Sequence, residues 1–309
     1  MRTKITVVGA GGVGATTAQR LAERDHADVV LIDAAEGLAR GTALDIAQAG
    51  AIAGYEPSVS GVSGWERAAG SELVVITAGS SRRGGMTRDD LLADNRGVVT
   101  GVCEQVAERA PDAVVIVVTD PVDAMCHVAL GATAFPRQRV IGMVGILDSA
   151  RLRTFLAWEL GVSVRDVSGL VLGGHGDTMV PVLSHAAVGG VPVRERLDAE
   201  RLETIVQRTR EGGEEVAALL EQGAASHAPA AAVVEMVDAI VLDRKRVLPC
   251  TALCHGEYGF DRLFVGVPVK LGRDGVEEIV ELELPADERA QLERSAAAAR
   301  ERVEALGRV

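Results

Sequence analysis

Apolar residues in the first half of the chain fall into short, β-branched runs separated by longer mixed segments. Residues 5–8, 29–32, 73–77, 114–119 and 140–143 are such runs. Apolarity at nearly every position, rather than at alternate ones, marks strands buried on both faces. Between them, residues 15–24 and 95–109 suit helices. Strand alternating with helix predicts a doubly wound parallel sheet.

Beyond about Val144 the pattern changes. It predicts a helix over 149–160, strands near 167–172 and 184–188, and long Ala- and Glu-rich helices over 202–220 and 228–242. Strand-like runs at 263–269 and 276–284, joined by Gly272-Arg273-Asp274-Gly275, read as a hairpin. After Pro285 a final helix places Leu292, Ala299, Val303 and Leu306 on one stripe for packing. A second, mixed α+β domain follows, and 309 residues suit a division into 1–144 and 145–309.

Hydrophobic residues make up 48% and charged residues 25%, the balance of a globular protein. Asp and Glu number 44 against 32 Lys and Arg, and the net charge of -12 disfavours nucleic-acid or anionic-membrane partners. Any anionic ligand must be drawn by local arginines. Met1-Arg2-Thr3-Lys4 leads straight into a strand without signal-peptide character, and no apolar run reaches membrane-helix length, so a cytoplasmic location is expected. Cys103, Cys126, Cys250 and Cys254 form no disulfide framework and are expected to be reduced. Cys250, Cys254 and His255 lie close in sequence but lack a second ligand pair at zinc-site spacing, so no metal is expected.

Gly9-Ala10-Gly11-Gly12-Val13-Gly14 is a G-x-G-x-x-G directly after the first strand and at the start of a helix. Gly9, Gly11, Gly12 and Gly14 are candidate cofactor residues: such glycines allow a tight turn, approach of a pyrophosphate, and close helix-to-strand contact. The helix N-terminus adds free N–H groups and a positive dipole end. Asp33 ends the second strand about 20 residues on, where a carboxylate accepts hydrogen bonds from the adenosine ribose and repels a 2'-phosphate. A Rossmann domain that takes NAD rather than NADP is the expectation.

Three further segments carry chemistry. Thr77-Ala78-Gly79-Ser80-Ser81-Arg82-Arg83-Gly84-Gly85-Met86-Thr87-Arg88 follows a predicted parallel strand, where open sheets bind ligands, and its arginines make it anion-seeking. Asp148-Ser149-Ala150-Arg151 sets an acid and a base on nearly one helix face. Gly173-Gly174-His175-Gly176-Asp177 places an imidazole among glycines, where it can exchange a proton near neutral pH.

Taken together, these segments resemble the malate and lactate dehydrogenase superfamily over about residues 4–284, and within it the bacterial malate dehydrogenases of the lactate-dehydrogenase-like type. The resemblance implies a reversible hydride transfer between malate and oxaloacetate, with NAD as cofactor and a small dicarboxylate as substrate. His175 would be the proton donor and acceptor, Asp148 its orienting partner, and Arg88 the group that polarises the reacting carbonyl. Arg151 would bind the first carboxylate, and Arg82, at the position where lactate dehydrogenases carry glutamine, the second. Asn95 and Val118-Thr119-Asp120 would line the nicotinamide half, and a homodimer or homotetramer is implied.

The sequence departs from the family at Asp120, where asparagine is usual before Pro121. An amide donates to the substrate oxygen, whereas an ionised carboxylate only accepts. Either Asp120 is kept protonated by burial or the activity is modified or impaired; dehydrogenation of another 2-hydroxy acid, such as lactate, is the neighbouring alternative. Gly84 stands where proline is common, and Ser226-His227 replaces an aromatic pair.

Overall fold

The computed structural model describes residues 2–80, 88–221 and 223–307, without the side chains of Arg88 and Asp89. Its first half runs β1 (Thr3–Val8), α1 (Gly12–Glu23), β2 (Ala27–Ile32), α2 (Glu36–Ala53), β3 (Val59–Val62), β4 (Leu73–Ile76), α3 (Arg88–Arg109), β5 (Val114–Val117), α4 (Val122–Thr133) and β6 (Val140–Gly142). The second half runs α5 (Gly145–Leu160), β7 (Val167–Ser168), β8 (Val171–Gly173), β9 (Met179–Pro181), β10 (Ala187–Val188), β11 (Val191–Pro192), α6 (Ala199–Leu220), α7 (His227–Val241), β12 (Arg246–His255), β13 (Asp261–Gly272), β14 (Gly275–Ile279) and α8 (Ala286–Ala305).

Among the described residues the main sheet has the order β14-β13-β12-β6-β5-β4-β1-β2-β3. From β6 to β3 it is parallel throughout, and its order reverses between β1 and β4, the switch point of a doubly wound sheet. The apolar runs are explained by burial on both faces. Ile5, Val7, Val29, Leu31, Val75 and Ile116 face one core with Leu21 of α1 and Val233 and Val237 of α7. Val8, Val30, Ile32, Val74, Ile76 and Val115 face the other with Val99 and Val106 of α3 and Met125 of α4. Alternate strand residues thus feed opposite cores.

The second half does not stand apart from this sheet. Strand β12 pairs antiparallel with β6, through Thr251 and Gly142, and β13 and β14 extend the edge. The expected hairpin exists, but β14 ends at Ile279, short of the predicted 284. Strand β12 was not predicted, because Pro249 and the cysteines interrupt its β-branched pattern. The stretch 167–172, read as one strand, is divided into β7 and β8, and 184–188 is a 3-10 turn leading into β10. Leu152, Leu156, Val171, Met179, Leu202 and Ile205 form a third core between α5, α6 and the β8–β9 hairpin.

Candidate active site

Loops after β1, β4 and β5 meet at the C-terminal edge of the parallel strands, on either side of the switch point. Thr77 joins the first two, its hydroxyl donating to the carbonyls of Val8 (2.9 Å) and Gly9 (3.1 Å). Thr119 donates to the Ala78 carbonyl at 2.7 Å. Asn95 braces the third loop: Oδ1 accepts from the Ser80 N–H (2.7 Å), and Nδ2 donates to the carbonyls of Ser80 (3.1 Å) and Asp120 (2.7 Å). The Asn95 side chain is fully buried, so it reaches the site through the loops it holds. Val118 and Thr119 follow β5 directly, and Asp120 is exposed at the strand edge.

The glycine loop has the geometry a dinucleotide requires. Gly9 has φ +103°, and a Cβ there would stand 2.8 Å from the Ala78 nitrogen of the loop after β4; a Cβ on Gly14 would lie 1.8 Å from the Gly9 carbonyl, so bulk at Gly14 would push helix α1 from strand β1. A Cβ on Gly11 would instead meet nothing within 4 Å, which leaves that side open enough for a pyrophosphate to approach. No side chain caps α1 and no acid lies in its first turn, which leaves its N-terminal N–H groups and positive dipole end for phosphate. At the end of β2, Asp33 accepts from the Ala10 N–H (2.7 Å) and the Ala35 N–H (2.8 Å), one through each oxygen. Its remaining lone pairs suit ribose hydroxyls.

Helix α5 begins at Gly145, four residues before the predicted start at 149, which puts Asp148 in its first turn and completely buried. His175 sits at the tip of the β8–β9 hairpin, between Gly173 and Gly176, whose positive φ values of +77° and +74° make the turn. Helix and hairpin are tied by Ser149, whose hydroxyl accepts from the Val171 N–H at 2.8 Å. Asp148 then divides its oxygens: Oδ2 lies 2.8 Å from His175 Nδ1, and Oδ1 accepts from Arg151 Nη1 at 3.0 Å. An ionised carboxylate only accepts, so Nδ1 carries the proton and Nε2 is left to exchange one with a ligand.

Electrostatics favour the imidazolium. Protein surroundings oppose charge on His175, but the facing Asp148 carboxylate outweighs them, Asp120 adds to it, and the imidazole rises to about 9. Asp120 moves in the opposite sense chemically. Though exposed at the edge, it is walled by enough protein to raise its carboxyl; His175 and Arg151 pull it down, while the carboxylates of Asp123 and Asp148 push it up.

Of the other sequence candidates, Arg82 lies outside the described residues, as does Gly84, and Arg88 is placed only as the first residue of α3. Arg151 is nearly buried, its side chain 12% exposed. Sequence reading missed the residues that shape its berth: a Cβ on Gly212 would stand 3.0 Å from Arg151 Cδ, and one on Gly213 would stand 3.4 Å from Nη2. Two adjacent glycines inside a predicted helix, each costing about 1 kcal/mol relative to alanine, were the available signal. Also missed was Ser295 of α8, whose hydroxyl accepts from the Gly174 N–H at 2.8 Å. The four cysteines are free thiols and buried.

A switch-point glycine loop, an acid ending β2 and a carboxylate-steered imidazole define a dinucleotide-dependent dehydrogenase. The chain belongs to the lactate/malate dehydrogenase family: residues 3–142 match its NAD binding domain and residues 146–306 its alpha/beta C-terminal domain. It is 53% identical over 306 residues to malate dehydrogenase of Thermomicrobium roseum, with 99% of each chain covered. The solved malate dehydrogenase of Salinibacter ruber is 48% identical with a TM-score of 0.94, covering 98% of this chain and 97% of that one. A lactate dehydrogenase of Cryptosporidium parvum, solved with lactic acid and β-nicotinamide adenine dinucleotide, is 39% identical with a TM-score of 0.97, covering 100% and 99%. Relatives of either name share this backbone, so the substrate must be read from side chains.

Proposed function

We propose that this protein is an NAD-dependent malate dehydrogenase. The observation that carries the reading is the shared Asp148 carboxylate, which joins an imidazolium to a guanidinium close to Asp120 at the edge of the parallel sheet. Bound NAD(H) would supply the chemistry of hydride exchange at its nicotinamide ring. Asp33 would accept from the adenosine ribose and keep out a 2'-phosphate, which favours NAD over NADP.

Arg151 keeps donors beyond the one given to Asp148 and pairs with the carboxylate next to the reacting carbon. Arg82 pairs with the distal carboxylate, which makes the substrate a dicarboxylate; pyruvate would leave that guanidinium unpaired. Arg88 stabilises charge on the reacting oxygen. His175 gives its Nε2 proton to that oxygen as oxaloacetate is reduced, and takes it back as malate is oxidised. Asp148 fixes the ring and stabilises the charged form. Asp120, in its protonated state, donates to the same oxygen.

Residues 1–144 form the dinucleotide-binding unit and 145–309 the substrate unit. Self-association as a homodimer or homotetramer is supported by apolar side chains left in solvent on α2 and α5, among them Ile52 (91% exposed) and Trp158 (66%). The test is NADH oxidation with oxaloacetate supplied to the purified protein; absence of turnover with either NADH or NADPH rejects the proposal.

A further inference from the structure

Helix α8 reaches the site through a second pair. Asp123, in the first turn of α4 and three residues beyond Asp120, is 8% exposed. Its Oδ1 accepts from the Ala124 N–H at 2.9 Å. Arg302 of α8 clasps the same carboxylate, Nε lying 3.2 and 3.0 Å from Oδ1 and Oδ2 and Nη2 lying 2.5 Å from Oδ2. The guanidinium also lies against the histidine hairpin: a Cβ on Gly174 would stand 3.2 Å from Arg302 Nη2. Seven residues earlier on the helix, two turns along the same face, buried Ser295 accepts from the Gly174 N–H. Past the end of α8, the Leu306 carbonyl accepts from Arg96 Nη1 at 2.5 Å, and Arg96 adjoins Asn95.

One guanidinium therefore touches both the segment that carries Asp120 and the segment that carries His175. We propose that Arg302 is a positioning residue for the reaction: it fixes the Asp120 turn relative to the His175 hairpin, and it neutralises a buried carboxylate that would otherwise face an anionic substrate. Two consequences separate this role from that of a pair that merely anchors a C-terminal helix. Loss of the clasp loosens both loops, and loss of the positive charge leaves Asp123 uncompensated in a site that must accept a dianion.

The proposal deepens the function given above and rests on it. It is tested on the full-length protein by oxaloacetate kinetics, NADH affinity and amide hydrogen exchange in Arg302→Met, Arg302→Lys and Asp123→Asn/Arg302→Met. Arg302→Met is expected to raise KM for oxaloacetate by about tenfold or more and to lower kcat, with the NADH Kd within about twofold. Exchange over 120–124 and 173–179 should accelerate while β1 to β5 stay unchanged. Arg302→Lys should restore most of the activity. The double variant should recover substrate binding, because no charge is stranded, but retain the faster exchange. Should Arg302→Met not fold, the neutral double variant carries the test through that exchange. Unchanged kinetics and exchange, or a lower Tm with neither altered at the two loops, overturns the proposal. Wild-type protein inert toward oxaloacetate would reject the malate dehydrogenase reading instead, and exchange would still decide the role of Arg302.

Discussion

Asp148 holds His175 and Arg151 on opposite oxygens, at 2.8 and 3.0 Å. The acid that orients the proton carrier thus also orients the arginine assigned to the substrate carboxylate, and disturbance of one is felt by the other.

The pH dependence of the reaction should follow this pair. With the imidazole raised to about 9, the protonated enzyme persists through neutrality, and oxaloacetate reduction should fall as pH rises through about 9 while malate oxidation gains. Asp148→Asn removes the main source of the rise, so the alkaline limb of reduction should move down toward the unperturbed histidine value of about 6.5. kcat should drop by about 100-fold. An unmoved limb in kcat/KM against pH contradicts the assignment of that limb to His175.

Asp120 should impose a second limb. Its carboxyl is raised by its surroundings; below its pKa it is a neutral donor, and above it an anion facing an anionic substrate. Wild-type kcat/KM for oxaloacetate should therefore decline as pH rises through the raised Asp120 pKa, in addition to the histidine limb. Asp120→Asn should abolish that decline and raise kcat/KM at the alkaline side by about tenfold. Equal rates for both proteins at every pH would show that Asp120 is no handicap.

Asp33→Ser should narrow the preference for NADH over NADPH, since the carboxylate that repels a 2'-phosphate is gone. The variant also loses the carboxylate that accepts from Ala10 of the glycine loop and from Ala35 at the start of α2, so NADH affinity should fall as NADPH affinity rises. Wild-type protein that already uses both cofactors equally contradicts this role.

Gly212→Ala sets helix propensity against the berth of Arg151. Alanine gains about 1 kcal/mol of propensity, but its Cβ presses Arg151 Cδ at 3.0 Å. KM for oxaloacetate should rise several-fold without a matching loss of Tm, as steady-state kinetics and thermal melts on the same preparation would report. A lowered Tm with unchanged KM would mean that the glycine serves the helix alone.

What the sequence made legible, and what it did not, has a physical pattern. Strands such as 29–32 and 73–76 announced themselves because both faces are buried and every side chain is apolar. Strand β3 was silent because Ser60 and Gly61 break the run, and Gly61 is small for a tertiary reason: a Cβ there would lie 2.0 Å from the Ala39 carbonyl. His175, Asp148, Arg151 and Asp33 were legible because each sits in a short segment whose chemistry is local. Asp123 and Arg302, 179 positions apart, carry no such mark; only the packing of α8 against the hairpin and α4 brings them together. Asn95 was legible as a candidate, but its full burial against Ser80 and Asp120 was not.

Selection of a dicarboxylate substrate by Arg82 is open to a single comparison: kcat/KM for oxaloacetate and for pyruvate, followed as NADH oxidation in wild type and Arg82→Gln. Wild type should prefer oxaloacetate by about a thousandfold or more, because pyruvate strands a site arginine. In Arg82→Gln, oxaloacetate should lose about 2 to 5 kcal/mol of transition-state binding and the relative use of pyruvate should rise. A wild-type enzyme that uses pyruvate as well as oxaloacetate, or a preference that Arg82→Gln leaves unchanged, would contradict it.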